Sequence, residues 1–390
     1  MNATATAKPQ APKGRLLALD ILRGITIAGM ILVNNPGSWG HIYAPLAHAS
    51  WNGLTPTDLV FPFFMFIMGV STYMSLRKYN FEWSGPTVRK IVKRTIVIWL
   101  IGLGIAWFGL FLRGILNEAT LAEAVWNFDR IRILGVMPRL AICYGVGSIL
   151  AISLKPKAIP WAIALMLIAY AAVLLLGHGF EFSERNVISV VDHKILGANH
   201  MYADTIDGVR LKFDPEGLLS TLPSIAHMLI GFMCGMLITG TKDNERRING
   251  LFIVGTILTF AGFLLDFGLP INKKVWSPSF VLTTCGLASS FLGLLIWIID
   301  IKGYKKWSRF FEAFGINPLF MYCLGAVLSI VIGTVKIGDT SIKGHIYQDA
   351  LLPLCGDDAT LASLVFALLF VGVSWCVGYV LYKKKIYIKI

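Results

Sequence analysis

The sequence contains little charge and lacks the composition of a soluble protein. Asp, Glu, Lys and Arg make up only 15% of its 390 residues, whereas 56% are hydrophobic. A soluble domain of this length is normally much less apolar. Apolar runs of about 20 residues, the length that spans a bilayer, recur along the chain. These features predict an all-α, polytopic membrane protein.

Disulfide, metal and common catalytic motifs are also lacking. The six cysteines include no CxxC pair and do not indicate a disulfide framework. The seven histidines form no HExxH motif, and no Cys/His cluster has the spacing of a metal site. There is no GxSxG elbow and no GxxxxGK[ST] phosphate loop. We therefore expect no metal centre.

Ten hydrophobic segments predict membrane spans. They cover roughly residues 16–35, 57–76, 91–112, 133–153, 158–177, 218–239, 249–268, 278–299, 318–335 and 360–382. Most of the 35 Lys and Arg residues lie on one side of this arrangement, and basic residues favour the cytoplasmic side. We predict that both termini are cytoplasmic and that loops at about 36–56 and 178–217 are extracytoplasmic. The bias accounts for the net charge of +13 without a nucleic-acid partner.

The first 14 residues differ from the rest of the chain in composition. They are rich in Ala, Thr, Pro and Lys, and such a segment has few apolar residues to bury. We predict a disordered cytoplasmic tail over residues 1–14 and a single transmembrane domain over 15–390.

Several predicted spans begin with a capping residue followed by proline. The pairs are Thr55-Pro56, Asp214-Pro215, Ser277-Pro278 and Asn317-Pro318. Such pairs are typical of helix starts, because the side chain accepts from a free N–H and proline suits the first turn. Asp58 completes a Thr-x-x-acid capping box after Thr55.

The loop before this helix start carries the most chemistry. His48 is flanked by small residues and followed by Trp51 and Asn52, while Asn34 ends the first span. Histidine accepts a proton near neutral pH, an amide donates to an oxyanion, and a helix N-terminus stabilises negative charge. The pattern fits two roles for His48: a catalytic base, or a hydrogen bond that braces the loop.

Ionisable residues inside spans are costly in a bilayer and are usually functional. Asp20 and Arg23 are three residues apart on the first span and can pair, or Arg23 contacts a phosphate. Arg139 in the fourth span binds a ligand phosphate or an acid on a neighbouring helix. His227 in the sixth span is a candidate site residue, although an interhelical hydrogen bond is the commoner role.

Five segments together resemble the successive motifs of the heparan-α-glucosaminide N-acetyltransferase family. They are LDILRGITIAGMILVNN, AHASWNGLTPTDLVFPFFMFIMG, IRILGVMPRLAICY, FDPEGLLSTLPSI and INKKVWSPSFVLTTCGLA. The resemblance extends from about residue 15 to 300 and indicates a shorter, bacterial-type member. It implies a multi-pass acetyltransferase of a bacterial inner (plasma) membrane.

The resemblance implies transfer of acetyl from cytosolic acetyl-CoA to the amine of an extracytoplasmic glucosamine-type sugar. It makes His48, Asn34 and Asp58 the catalytic residues, with His48 as base or acyl carrier. It also suggests a homodimer. An amino-sugar transporter that uses the same polar centre as a sugar site is the alternative.

Two groups of residues are expected to bind the substrates. The diphosphate and 3′-phosphate of CoA need charged donors at the inner side, and these should come from some of Arg23, Arg77, Lys90, Arg94 and Lys305. The other candidates for contacts with sugar or donor are Trp51, Asn52, Arg139, Glu216 and His227.

The predicted topology is testable by labelling single cysteines from each side of the membrane. Cysteines placed in 41–56 or 178–217 should react with an impermeant thiol reagent in intact cells. Those in 78–90 or 240–248 should react only after permeabilisation, because the basic segments face the cytoplasm. Labelling of the 41–56 loop solely from the cytoplasmic side would contradict the topology.

Overall fold

The chain folds as an almost entirely helical bundle. The computed structural model describes residues 16–388, so the tail predicted over 1–14 lies outside the described residues. Within this range the β-structure is limited to two antiparallel hairpins. The predicted all-α class is confirmed.

The first twelve helices are α1 Leu17–Val33, α2 Val60–Leu76, α3 Gly85–Leu116, α4 Leu121–Val125, α5 Val136–Ser153, α6 Ile159–Leu176, α7 Val187–Leu196, α8 Thr221–Gly240, α9 Asn244–Asp266, α10 Pro278–Ile296, α11 Arg309–Ile316 and α12 Pro318–Thr334. The remaining helices are α13 Ile342–Gly344, α14 Leu352–Leu354 and α15 Ala359–Lys383. The strands are β1 Ala203–Ile206, β2 Val209–Lys212, β3 Lys336–Ile337 and β4 Thr340–Ser341. Single 3₁₀ turns precede α2 (Pro56–Leu59) and α6 (Pro156–Ala158), and a π-helical turn extends α10 (Trp297–Ile301).

Each of the ten predicted spans lies on a helix. In the described part of the chain, eight helices are long and apolar enough to cross a membrane: α2, α3, α5, α6, α8, α9, α10 and α15. The pair α11 and α12, bent by 87°, adds a ninth if it counts as one span. Helix α1 has 17 residues and is therefore about 25 Å long, slightly short of a full span. Over residues 16–388 the chain is thus a multi-pass membrane protein with eight clear spans, or nine with the bent pair, which agrees with the prediction of about ten.

Four helices form the centre of the bundle. More than half of the most apolar stretch of α2, α5, α8 and α10 is buried, whereas only 11% of that of α3 and 17% of that of α9 is buried. Helices α2 and α8 cross at Gly69 and Gly231: a Cβ on Gly69 would lie 2.0 Å from the Met228 carbonyl oxygen, and one on Gly231 would lie 2.2 Å from that of Phe66. Small residues at such crossings let helix backbones approach closely.

The structure confirms some of the predicted helix starts at capping residue–proline pairs and corrects that at Asp214-Pro215. Ser277 caps α10 as predicted, since its hydroxyl accepts from the Phe280 N–H at 3.3 Å. The Asp214-Pro215 pair does not begin a helix, because α8 begins seven residues after Asp214, at Thr221. The Asp214 carboxylate instead accepts a hydrogen bond from Arg132 and forms an ion pair with it. The Asn317 amide donates to the Ile386 carbonyl at 2.8 Å and so contacts the segment after α15.

Candidate active site

A cavity of about 520 Å³ opens at one end of the bundle. Its walls come from the end of α1, the loop before α2, the hairpin β1–β2, the segment before α8 and the loop before α10. Polar and charged residues on these walls are Asn34, His48, Ser50, Asp58, Arg132, Tyr202, Asp204, Thr205, Asp207, Glu216, Lys273 and Lys274. All the wall segments lie at predicted extracytoplasmic loops or at the outer ends of spans.

His48 and Asp58 form a hydrogen-bonded pair in this cavity. His48 Nδ1 lies 2.7 Å from Asp58 Oδ1, and the His48 side chain is 38% exposed whereas that of Asp58 is 1% exposed. The other carboxylate oxygen, Oδ2, accepts from the Ala49 N–H at 3.0 Å and from the Thr55 N–H at 3.2 Å. The predicted capping box between Thr55 and Asp58 is present. One carboxylate thus fixes the loop, the helix start and the imidazole.

This arrangement selects one tautomer of His48. An ionised carboxylate only accepts hydrogen bonds, so we assign the proton to Nδ1 from the hydrogen-bond partner. Nε2 then keeps a lone pair that can accept a proton or attack a carbonyl. Orientation of an imidazole by a buried carboxylate is the arrangement that makes histidine an effective base.

Lys273 lies against the same pair. Its Nζ is 3.3 Å from Asp58 Oδ1 and 3.0 Å and 3.4 Å from Nδ1 and Nε2 of His48. Burial lowers the pKa of Lys273, although the charges of Asp58 and Glu216 act to raise it. The cavity therefore brings an imidazole, a carboxylate and an ammonium group into direct contact.

A second ionic cluster forms the opposite wall. The Arg132 guanidinium donates through Nε to Asp214 at 2.9 Å and through Nη2 to both Asp214 and Glu216. Burial acts to lower the pKa of Arg132, but the two carboxylates outweigh it and raise that pKa. Burial acts to raise the pKa of Glu216, but Arg132 and Arg139 hold it below its usual value. Both Arg132 and Glu216 therefore stay charged beside the cavity.

The hairpin β1–β2 adds a further wall, which an ion pair joins to a neighbouring loop. Asp204, Thr205, Ile206 and Asp207 of this hairpin line the cavity. Lys274 Nζ lies 2.6 Å from Asp204 Oδ2, and this pair joins the hairpin to the loop before α10. The wall opposite His48 is thus connected to the residue next to Lys273.

Trp276 separates the cavity from polar groups deeper in the bundle. It lines the cavity and is only 1% exposed. The Arg139 guanidinium lies 5.2 Å from its ring and the His227 ring 5.8 Å from it. Arg139 donates through Nη2 to the Gly217 carbonyl and to Ser220, while its buried Nε and Nη1 have no hydrogen-bond partner among the described residues. Arg139 and His227 lie behind the cavity wall rather than on it.

Trp51 and Asn52 have structural contacts beside the cavity. Trp51 Nε1 donates to the Phe180 carbonyl at 2.7 Å, and its ring packs against Phe182 and Phe213. Asn52 Oδ1 accepts from the Asn272 amide at 3.1 Å. These two residues join the His48 loop to the 178–217 segment and to the loop before α10.

The predicted inner-side arginines lie outside this cavity. Arg23 pairs with Asp20 at 3.0 Å, as their spacing predicted, and also donates to Ser71. Arg77 makes a long contact of 3.5 Å with the Thr239 carbonyl. Arg94 stacks on the Tyr144 ring and lines a basic cavity of about 750 Å³ with Arg89, Lys90 and Lys93.

Sequence reasoning missed Lys273 and Arg132 as site residues. One signal could have found Lys273: adjacent lysines in a short outer loop run against the inside bias of basic residues. Arg132 had no such signal, because its partners Asp214 and Glu216 are more than 80 residues away.

Within residues 16–388 no group of three or more His, Cys, Asp or Glu side chains is arranged to hold a metal ion.

Comparison with known proteins identifies the family. Residues 15–263 match the family model described as heparan-alpha-glucosaminide N-acetyltransferase, catalytic, which is more than half of the chain. The chain belongs to this family. The heparan-alpha-glucosaminide N-acetyltransferase of Mus musculus is 27% identical over 431 residues, covering 96% of this chain and 60% of the mouse protein. That of Homo sapiens is also 27% identical, over 445 residues, covering 99% of this chain and 61% of the human protein. The chain therefore spans about three fifths of the length of these relatives.

The family match covers some of the site residues but not Lys273. The range 15–263 contains His48, Asp58, Arg132 and Glu216. Lys273 lies beyond it, in the loop before α10, although the alignments with the two relatives extend over nearly the whole chain. Lys273 therefore has to be argued from its contacts.

The tautomer of His48 is testable by nitrogen NMR of protein labelled in its histidine rings. The wild type should show a protonated Nδ1 and an unprotonated Nε2 at His48. Asp58→Asn should invert this pattern, because an amide N–H facing Nδ1 forces that nitrogen to accept. His200, whose Nδ1 lies 2.7 Å from the Ile131 carbonyl, is the internal control and should not change. An unchanged His48 pattern in Asp58→Asn would mean that Asp58 does not set the tautomer.

Proposed function

We propose that this chain is a transmembrane acetyltransferase. It would move acetyl from cytosolic acetyl-CoA to the amine of an extracytoplasmic glucosamine-type sugar. The observation that carries the proposal is the His48–Asp58 pair, held at 2.7 Å on the wall of a cavity large enough for a sugar. Family membership and the activity in the names of the mouse and human relatives support it.

His48 Nε2 is the atom that moves the proton in this proposal. The sugar amine attacks the thioester carbonyl, a C–N bond forms, and the C–S bond breaks. His48 takes the proton from the amine and gives it to the departing CoA thiolate, so that the products are the amide and free CoA thiol. In the alternative order, Nε2 attacks the thioester carbonyl and the C–S bond breaks, which releases CoA thiolate. The amine then attacks the acetyl carbonyl, the bond to Nε2 breaks, and the proton lost by the amine goes to the thiolate. Asp58 stabilises the charge on His48 in both orders.

The oxyanion of the intermediate needs a donor near His48. Asn34 lines the cavity with His48, and its amide N–H group is suited to a developing oxyanion. Asn34 also lines a groove of about 180 Å³ between α1 and α12. Asn34 therefore lies where the cavity adjoins this groove, and we place the acetyl carbonyl of the donor beside it.

The cavity wall is suited to an amino sugar. Glu216, Asp204 and Asp207 present carboxylates that accept from hydroxyls and favour a cationic amine. Arg132 and Tyr202 supply donors on the same wall. Trp51 and Asn52 contribute by fixing the His48 loop, since their polar groups bond to other loops.

The donor would be held from the inner side. Arg94 and its basic neighbours form a cavity suited to the phosphates of CoA, with Arg23 and Arg77 as further candidates on the inner halves of α1 and α2. Arg139, with two buried nitrogen atoms that have no partner among the described residues, is suited to an amide or carbonyl of the donor behind Trp276, near His227. We assign the protein to a bacterial inner (plasma) membrane, where a homodimer would place two such sites side by side.

The transporter alternative has a structural expectation of its own. Transporter sites are commonly built from a pair of broken helices near the bilayer centre. Among residues 16–388 one broken pair is present, α11 and α12, and its break at Asn317 adjoins the C-terminal end of the chain rather than the cavity. Acetyl transfer is therefore the function to test first.

His48→Ala should abolish or cripple acetyl transfer to glucosamine by purified protein. A positioned base contributes about 10²–10⁴-fold in rate, and an acyl carrier contributes more. The measurement is incorporation of radiolabelled acetyl from acetyl-CoA into the sugar, with thermal stability and CoA binding as checks on folding. His48→Gln shows whether a hydrogen bond without proton transfer is enough.

His41→Ala is the matched control, because His41 is exposed in the same loop and does not line the cavity. It should keep the wild-type rate. A His48→Ala variant that retains more than about a tenth of the rate would remove His48 from the mechanism. Wild-type protein that acetylates no amine but carries labelled sugar across vesicles would establish the transporter instead.

A further inference from the structure

Lys273, in the loop before α10, contacts the imidazole of His48. We propose that Lys273 is a positioning residue that keeps His48 unprotonated, so that the Nε2 lone pair is available when the acceptor enters the cavity. Its catalytic consequence rests on the proposed function, but the effect on His48 can be measured without any reaction.

The position of the ammonium group excludes an ordinary hydrogen bond to the ring. Lys273 Nζ lies at 3.0 Å from Nδ1 and 3.4 Å from Nε2 of His48. Ring lone pairs lie in the plane of the ring and diverge, so one donor cannot lie on both axes. An atom almost equidistant from both nitrogens and this close to them lies over the ring face. It also forms an ion pair with Asp58 Oδ1, at 3.3 Å.

This geometry favours the neutral imidazole. A cation over the face of a neutral aromatic ring is attracted to it, whereas a cation beside an imidazolium is repelled. Asp58 would otherwise favour protonation of His48, since an opposite charge stabilises a charged partner. Lys273 shares the same oxygen, Oδ1, and so counters that effect. The carboxylate can orient His48 without keeping it permanently protonated.

The other charged groups around the cavity are paired with one another. Arg132 is held by Asp214 and Glu216, and Lys274 by Asp204. Asp207 lies at the exposed turn of the hairpin. Of the charged groups that line the cavity, Lys273 and Asp58 are the two within hydrogen-bond distance of His48. These two are therefore the charged groups in direct contact with the imidazole.

The backbone that carries Lys273 is fixed to the backbone that carries His48. The Gly53 N–H donates to the Ile271 carbonyl at 2.7 Å, and the Asn272 amide donates to Asn52. The Tyr170 hydroxyl donates to the Val275 carbonyl at 2.5 Å. These bonds fix the loop on both sides of Lys273. The loop therefore holds the backbone of Lys273 beside that of His48, and the Lys273 side chain is only 19% exposed.

The test follows the reaction of His48 with diethyl pyrocarbonate as a function of pH. This reagent acylates unprotonated imidazole, and mass spectrometry of the peptide gives the pH at which His48 reacts at half its maximal rate. In Lys273→Met this midpoint should move upward by about one pH unit or more, because a like charge within contact distance has been removed. Lys273→Arg should restore a midpoint close to that of the wild type.

Two controls separate a local effect from a general one. Lys274→Met removes one positive charge from the same loop and should move the His48 midpoint much less, since Lys274 is paired with Asp204. The His41 peptide of each sample reports the reagent and the pH scale. If Lys273→Met does not fold, Lys273→Gln keeps a polar side chain and is measured in the same way.

The outcomes distinguish this proposal from the function on which it rests. An unchanged or lowered midpoint in Lys273→Met and Lys273→Gln would overturn the role of Lys273, whatever the enzyme does. A raised midpoint in a protein that transfers no acetyl group would support Lys273 and contradict the proposed function. In an active protein, the acid side of the rate profile should move upward with the midpoint, with little loss of rate at high pH.

Discussion

The buried carboxylate of Asp58 is the constraint on which the site depends. A carboxylate that is 1% exposed is costly unless its oxygens are paired. Asp58 meets this requirement with the Ala49 and Thr55 N–H groups on one oxygen and with His48 and Lys273 on the other. Each of these partners belongs to a different part of the site: the loop, the helix start, the imidazole and the cation. Folding of the loop and assembly of the site are therefore the same event.

The bundle supplies the rigidity that this assembly needs. Helix α2, which follows the turn that contains Asp58, packs closely against α8 through Gly69 and Gly231, and lipid requires all spanning backbone to be internally bonded. The outer loops are then fixed to one another by Trp51–Phe180, Gly53–Ile271 and Asn52–Asn272. The hairpin β1–β2 beside this centre is joined to the loop before α10 by Lys274 and Asp204.

Hydropathy predicted the position of every span, because a bilayer leaves few alternatives to apolar helices. The capping box at Thr55 and the Asp20–Arg23 pair were also predictable, since both depend on neighbours three residues apart. The contacts of Lys273 with His48 join residues 225 apart in the sequence, and no local pattern encodes them. Asp214 shows how a local pattern misleads: its proline neighbour resembled a helix start, but Arg132 takes its carboxylate. Local rules thus predicted the elements and half of the site, and tertiary packing of the loops determined the rest.

The central claim is that one polar centre joins a donor from the inner side to an acceptor on the outer side. Sealed right-side-out membrane vesicles that enclose acetyl-CoA labelled in its acetyl group, with glucosamine only outside, test this claim most directly. The account predicts labelled N-acetylglucosamine outside the vesicles, and none from vesicles that carry His48→Ala. Label that reaches the sugar only when acetyl-CoA is added on the same side as the sugar would contradict it.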